Sequence, residues 1–148
     1  MNWNRYRFVS VWQLSAPPTA VYAELERVED YPRWWPQVRE VTRSGSDFGT
    51  TRVRSLLPYD LVTTVREQRR DPAHGVLEAA LGGDLDGWAR WTVTPHGSGT
   101  RVVHEQEVEV RRTLMRVLAL PCRPVFRANH ALMMRAGRRG LAARLQAV

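Results

Sequence analysis

Residues 124–146 read PVFRANHALMMRAGRRGLAARLQ, and the spacing of their apolar positions decides the fold. Phe126, His130, Met133, Met134, Gly137, Leu141 and Leu145 recur at steps of three and four, the stripe of one amphipathic helix. At ~1.5 Å per residue that helix is on the order of 33 Å long, close to the ~33 Å reach of a ten-residue strand. It can therefore lie along a curled sheet. The residues before it alternate instead. Val102, His104, Gln106, Val108 and Val110 share one side of an extended segment, and Arg101, Val103, Glu105, Glu107 and Glu109 share the other. The side with three carboxylates must be wet, so His104 and Gln106 point inward.

Working back toward the start of the chain, the period stays near two from Val38 to Val110, broken only where turn residues cluster. The breaks delimit strands at 37–44, 50–57, 59–70, 75–82, 84–95 and 100–110. A further strand covers Tyr6 to Leu14, its phase imperfect because Tyr6 and Phe8 are followed by Val9, Val11, Trp12 and Leu14. Ser15-Ala16-Pro17-Pro18 stops it. A helix follows, capped by Ser15 or Thr19, with Val21, Tyr22, Leu25 and Val28 at helical spacing. A second short helical turn begins at Glu29-Asp30 and ends near Trp35-Pro36. Leu114, Met115, Val117 and Leu118 form another short helical segment, ended by Pro121. The fold class is α+β: a seven-stranded antiparallel curved sheet wraps around a long C-terminal helix, with two short helices between the first and second strands.

The chain has 148 residues, 43% of them hydrophobic and 25% charged, the balance of an ordinary globular protein read here as one domain, 1–148. A chain of this size buries roughly 68–70% of its unfolded surface, enough for a core and an internal cavity. The single Cys122 excludes an internal disulfide, and the longest charge-free stretch near the start, Phe8 to Ala23, is broken by Ser10, Gln13, Ser15 and two prolines. No signal peptide or membrane span is read, and a reducing cytoplasmic setting fits best. The formal net charge is +7, and all 22 basic residues are Arg. Arg is spread along the chain and is one-signed only from Arg111 onward, which speaks against a dedicated nucleic-acid site and leaves transient membrane contact open.

Three segments resemble the START-like superfamily, also called helix-grip or SRPBCC, and within it a bacterial polyketide cyclase/dehydrase-like subgroup. They are Ala16-Pro17-Pro18-Thr19-Ala20-Val21-Tyr22 with Asp30-Tyr31-Pro32-Arg33-Trp34-Trp35-Pro36-Gln37-Val38, then Gly83-Asp84-Leu85-Asp86-Gly87-Trp88-Ala89-Arg90-Trp91 with Gly99-Thr100-Arg101-Val102. The third is Arg123-Pro124-Val125-Phe126-Arg127-Ala128-Asn129-His130 with Met134, Gly137 and Gly140-Leu141. The resemblance implies a ligand site between the inner sheet face and the last helix, occupied by a hydrophobic small molecule such as a lipid, quinone or aromatic polyketide.

The residues expected to line that site are Tyr31, Trp34, Trp35, Trp91, His104, Gln106, Phe126, Asn129, His130, Met133, Met134 and Gly137. Trp91 and Val93 take the inward phase, leaving Trp88, Arg90 and Thr92 on the other face. A buried polar group without a partner costs roughly 1–3 kcal/mol, so His104 and Gln106 need partners, and His130 with Asn129 is placed to supply them. Three readings stay open: a self-satisfied core, directional contacts to a ligand, or acid/base catalysis by His104 or His130. Tyr31, Trp34 and Trp35 form either a lid or a plug. Gly137 and Gly140 mark either close approach of the helix to the sheet or room for a ligand. Asp84 and Asp86, with Arg90 nearby, read as an exposed charge cluster. His74 and His96 fall in turns, no Cys or carboxylate stands at ligand spacing with the inward His, and no Ser is placed beside either, so no metal site, cofactor or hydrolytic triad is expected. Three functions are in play: a binding or transport module, acting as monomer or homodimer; a polyketide cyclase/aromatase; and an Arg-rich protein acting on an acidic partner.

Overall fold

The structure is a computed structural model that describes residues 5–54, 60–111 and 123–146. The strands, in chain order, are β1 (Arg5–Leu14), β2 (Val38–Arg43), β3 (Phe48–Arg54), β4 (Asp60–Asp71), β5 (Val76–Gly83), β6 (Leu85–His96) and β7 (Gly99–Val110). Helix α1 (Pro18–Glu26), a 3₁₀ turn (Val28–Asp30) and helix α2 (Tyr31–Trp34) separate β1 from β2, and the long helix α3 (Arg123–Gln146) follows β7. The expected helical segment at Leu114 to Leu118 lies outside the described residues.

The sheet is antiparallel throughout, in the order β1-β7-β6-β5-β4-β3-β2. The six later strands form a meander, and β1 pairs with β7 over its whole length, from Arg5 opposite Glu109 to Leu14 opposite Thr100. The sheet curves around α3, which makes the architecture the helix grip expected from the sequence.

Two local readings change. The phase of β1 is unbroken, with Tyr6, Phe8, Ser10, Trp12 and Leu14 turned inward, while Val9 and Val11 stand in solvent. The outward valines satisfy strand propensity, and the small Ser10 occupies the inner position where a larger residue would meet the helix. Contrary to expectation, this sets Ser10 directly across from His104. Neither Ser15 nor Thr19 caps α1. Pro17, in extended conformation, offers its carbonyl to the N–H groups of Ala20 and Val21, both at 3.1 Å, and Pro18 at the first position has no N–H to satisfy.

The core falls into two clusters. One gathers Trp12, Leu14, Val21, Leu25, Trp34, Trp35, Trp91, Val102, Met134 and Leu141, and the other gathers Tyr6, Leu61, Val108, Val110 and Phe126. The first joins α2 to the C-terminal half of α3. A Cβ on Gly137 would stand 2.6 Å from the Trp35 indole, and one on Gly140 would overlap the Trp34 carbonyl oxygen. Both glycines thus admit α2 rather than the sheet. Arg144 secures the same end, its Nε donating to buried Glu24 at 2.8 Å and its terminal nitrogen to Asp30 at 3.4 Å.

The Asp84 and Asp86 cluster is also rearranged. The Asp84 carboxylate accepts the Val62 N–H at 2.9 Å and Asp86 pairs with Arg111 at 2.9 Å, while Arg90 bonds Glu78 at 2.7 Å on the outer face. Among the described residues, no helix is long and apolar enough to cross a membrane.

Gly140→Ala should destabilise by about 1–3 kcal/mol, because overpacking against a backbone carbonyl outweighs the ~1 kcal/mol helix gain of Ala over Gly. Thermal melting of Gly140→Ala beside an Ala143→Gly control checks it: a melting point at or above the parent's for Gly140→Ala would show that Trp34 yields freely.

Candidate ligand-binding site

Strand register places the inner-face residues in rows across the sheet. One row runs Tyr6, Val108, Gly87, Leu81 and Val65; the next runs Phe8, Gln106, Ala89, Ala79 and Glu67; the third runs Ser10, His104, Trp91 and Leu77, then Arg70 beyond a bulge in β4. The middle row is the informative one. Ala89 and Ala79 face each other where neighbouring rows carry Trp91, Leu77 and Leu81, so the sheet floor is low between the two core clusters. A cavity of about 300 Å³ opens there beneath Phe126, Asn129, His130 and Met133 of α3. That is the lower end of the range for small-molecule sites.

The end beside β1, β7 and α3 is polar but uncharged. His130 stacks on Phe8 with centroids 3.8 Å apart and planes 8° apart, and its Nε2 lies 3.2 Å from Gln106 Oε1. With the Gln oxygen as acceptor, His130 carries its proton on Nε2. His104 lies against Trp91 at 4.4 Å and 6.2 Å from His130, centroid to centroid. Its Nδ1 is buried with no protein hydrogen-bond partner. Burial pushes the His104 imidazole down to about 3, helped by the neighbouring His130, and burial alone pushes His130 down to about 4. Both rings are neutral at pH 7.

The expected aromatic group divides. Tyr31, Trp35 and Trp91 line the cavity, whereas Trp34, Met134 and Gly137 do not. Trp34 stacks on the outer side of Trp35 at 5.4 Å, Met134 is buried in the first core cluster, and the space over Gly137 is filled by the Trp35 ring. Trp35 Nε1 donates to the Met133 carbonyl at 2.8 Å, and the Tyr31 hydroxyl donates to the Leu25 carbonyl at 2.5 Å. These bonds fix the aromatic wall. Burial raises the Tyr31 phenol well above its ordinary range, so it stays a neutral donor. Phe126, Asn129, His130, Met133, His104 and Gln106 all line the cavity.

A charged rim, unread in the sequence, closes the opposite end. Arg70 pairs with Glu67 at 2.9 Å and reaches Glu26 of α1 at 3.8 Å, and Arg43 of β2 meets Glu29 at 3.5 Å. All five residues line the cavity. Strict alternation along β4 would pair the inward phase with Arg69 after Glu67; the bulge between Glu67 and Arg69 shifts the phase and sets Arg70 across from inward Leu77, and both arginines border the cavity. A phase slip of that kind leaves no mark in composition. Ala79 and Ala89 are not singled out by the sequence reading either, although the inward phase of Trp91 carries Ala89 with it. Among the described residues, no group of three or more His, Cys, Asp or Glu is placed to hold a metal ion.

Residues 14–136 match the family described as polyketide cyclase / dehydrase and lipid transport. The chain belongs to that family. Among curated proteins none matches in sequence. Solved structures share the fold: TTHA0849 from Thermus thermophilus has a TM-score of 0.77 at 19% identity, over 96% of this chain and 98% of its own. The Zhui aromatase/cyclase from Streptomyces sp. R1128 has a TM-score of 0.77 at 15% identity, over 96% and 94%. A START superfamily protein from Mycobacterium smegmatis has a TM-score of 0.75 at 14% identity, over 95% and 97%. At these identities the likeness concerns the fold alone.

The depressed imidazoles make stability depend on pH with a definite sign. Above the unfolded value of ~6.5 both states are neutral at His104 and His130 and nothing is lost. As pH falls below ~6.5 the unfolded chain takes up protons that the folded chain refuses, so stability drops by up to about 1.4 kcal/mol per pH unit for each ring. The loss continues until about 4 for His130 and about 3 for His104. Denaturant titrations of the parent and of His130→Gln between pH 7 and 5 should therefore converge as pH falls. Parallel profiles would place the His130 ring in water.

Proposed function

We propose that this chain binds an uncharged, flat hydrophobic molecule, a quinone, aromatic polyketide or lipid ring system, in the cavity between the sheet and α3. The observation that carries this reading is the cavity of about 300 Å³ walled by aromatic side chains and by His104, whose Nδ1 is buried with no protein hydrogen-bond partner. Such an atom costs roughly 1–3 kcal/mol, and one hydrogen bond from or to a ligand offsets the cost. Tyr31, Trp35, Trp91, Gln106, Phe126, Asn129, His130 and Met133 are assigned as the surrounding contacts, with the aromatic rings supplying stacking surface. A carboxylate at the deep end is disfavoured, because two neutral imidazoles offer it no countercharge and burial penalises its charge. The module is read as one cytoplasmic domain that carries its ligand, as monomer or homodimer.

Catalysis is the second reading, favoured by the family's cyclase members and by two imidazoles facing one cavity. As a polyketide cyclase/aromatase the chain would use His104 or His130 as acid/base. Imidazoles held at about 3 and 4 are poorly matched to that work near neutral pH, where efficiency peaks for groups titrating close to the operating pH. Binding is therefore preferred.

Organic extraction of the purified protein followed by mass spectrometry should release an apolar compound, and the same compound should raise the melting point by mass action. His104→Ala should weaken its binding about tenfold, the worth of one buried hydrogen bond, while the contacts from Gln106 and His130 persist. Unchanged affinity in His104→Ala would remove the polar anchor. Turnover of a poly-β-ketone by the parent, abolished in both histidine variants, would move the assignment to the enzyme.

A further inference from the structure

The outward face of α3 is used neither by the cavity nor by the core. The helix contains no acidic residue. Arg127, Arg135 and Arg139 are exposed and Arg138 is half-buried; among the described residues none of the four is paired with a carboxylate, although Arg127 leans over the Tyr6 ring at 5.9 Å and so is the least free of them. Elsewhere among the described residues Arg5, Arg7, Arg43, Arg52, Arg69 and Arg90 meet acidic partners, while Arg39, Arg54, Arg66 and Arg101 are scattered over separate strands without one; only on α3 do such arginines share one helix with no acidic residue. At 3.6 residues per turn Arg135 and Arg139 stand near the centre of the exposed arc, Arg127 and Arg138 lie on one flank, and Val125 and Leu132 lie on the other. Val125 and Leu132 are 42% and 48% exposed, two of the few large apolar side chains left in solvent among the described residues. Basic residues beside open apolar ones, over about 18 Å between Arg127 and Arg139, form one continuous stripe.

We infer that this stripe is a docking surface for an anionic lipid bilayer, with the arginines at headgroup phosphates and Val125 and Leu132 at the acyl boundary. Three observations select this occupant. Guanidinium groups without a carboxylate seek phosphate, which they bind in a bidentate fork. The adjacent valine and leucine gain from an acyl boundary and gain nothing from a nucleic-acid backbone. The inner face of α3 is held by the sheet and α2, and no described helix is long and apolar enough to cross, so the helix can only lie in the interfacial plane. The inference stands on the outer surface and holds whether the cavity carries its ligand or transforms it.

The test is co-sedimentation of the full chain with vesicles of phosphatidylcholine alone or mixed with phosphatidylglycerol, across a salt series. Binding is expected to the anionic vesicles only, released at high salt, as screening requires. Arg135→Gln and Arg139→Gln should each weaken it about fivefold, the usual worth of one basic residue at an anionic surface. Leu132→Ser should weaken it severalfold while leaving the salt dependence in place. Circular dichroism and melting should be unchanged in all three, since these side chains make no core contact. Failure to bind anionic vesicles, parent-like binding by both arginine variants, or parent-like binding by Leu132→Ser each overturns the assignment. So does tighter binding to an RNA duplex than to anionic vesicles at physiological salt.

Discussion

Everything about the interior depends on how α2 meets α3. The Trp35 indole and the Trp34 backbone press on a helix that has lost its side chains at Gly137 and Gly140, and the Trp35 N–H ties into the Met133 carbonyl at 2.8 Å. The C-terminal half of the helix is thereby fixed at a height set by one indole and one stretch of backbone. Further along, the same helix is supported by Phe8 under His130 and by Tyr6 against Phe126. Between these supports the sheet offers only Ala79 and Ala89. A rigid rod resting on two raised points over a low floor cannot close the space beneath it, and close packing elsewhere prevents the floor from rising.

The two ends of that space differ in electrical character. Near β7 and α3 the polar atoms are neutral, because the desolvation that surrounds them strips protons from both imidazoles. Near β4 and β2 the polar atoms are full charges, held in pairs between the sheet and the α1 to 3₁₀ segment. Exposed pairs of that kind contribute roughly 0.2–1 kcal/mol each, so the rim separates easily while the aromatic wall does not. Rigid support and a labile rim thus occur on opposite sides of one cavity, and specificity is built into the fixed side.

Most of this is legible in the residues alone, for reasons visible at particular positions. The change of period between Val110 and Phe126 identifies a long helix after a meander, and the three glutamates of β7 settle which way His104 and Gln106 point. The strand phase of Trp91 is equally decisive. Reading fails where one residue changes the phase: the bulge that turns Arg70 inward, and the valines of β1 that mimic an inner face while standing in water. It also fails where a residue's partner is distant in sequence. Gly137 is recognisably costly inside a helix, but nothing local tells that the occupant of its missing side chain is Trp35, about a hundred positions earlier. Trp34 and Met134 read as lining for the same reason, since burial is readable from pattern and the side from which a residue is buried is not.

The pairing of β1 with β7 has a consequence for how the chain comes to be folded. Arg5 meets Glu109 and Tyr6 meets Val108, so among the described residues β1 has a strand about a hundred positions later as its only hydrogen-bonded neighbour. On a ribosome, β1 emerges early and must remain unattached through synthesis of the entire meander. Loops of that span close slowly and expose edges to other molecules while they wait. Arg5 and Arg7 put charge on that strand, the kind of residue that discourages edge-to-edge pairing, and in the folded chain the same two arginines meet Glu107 and Glu105.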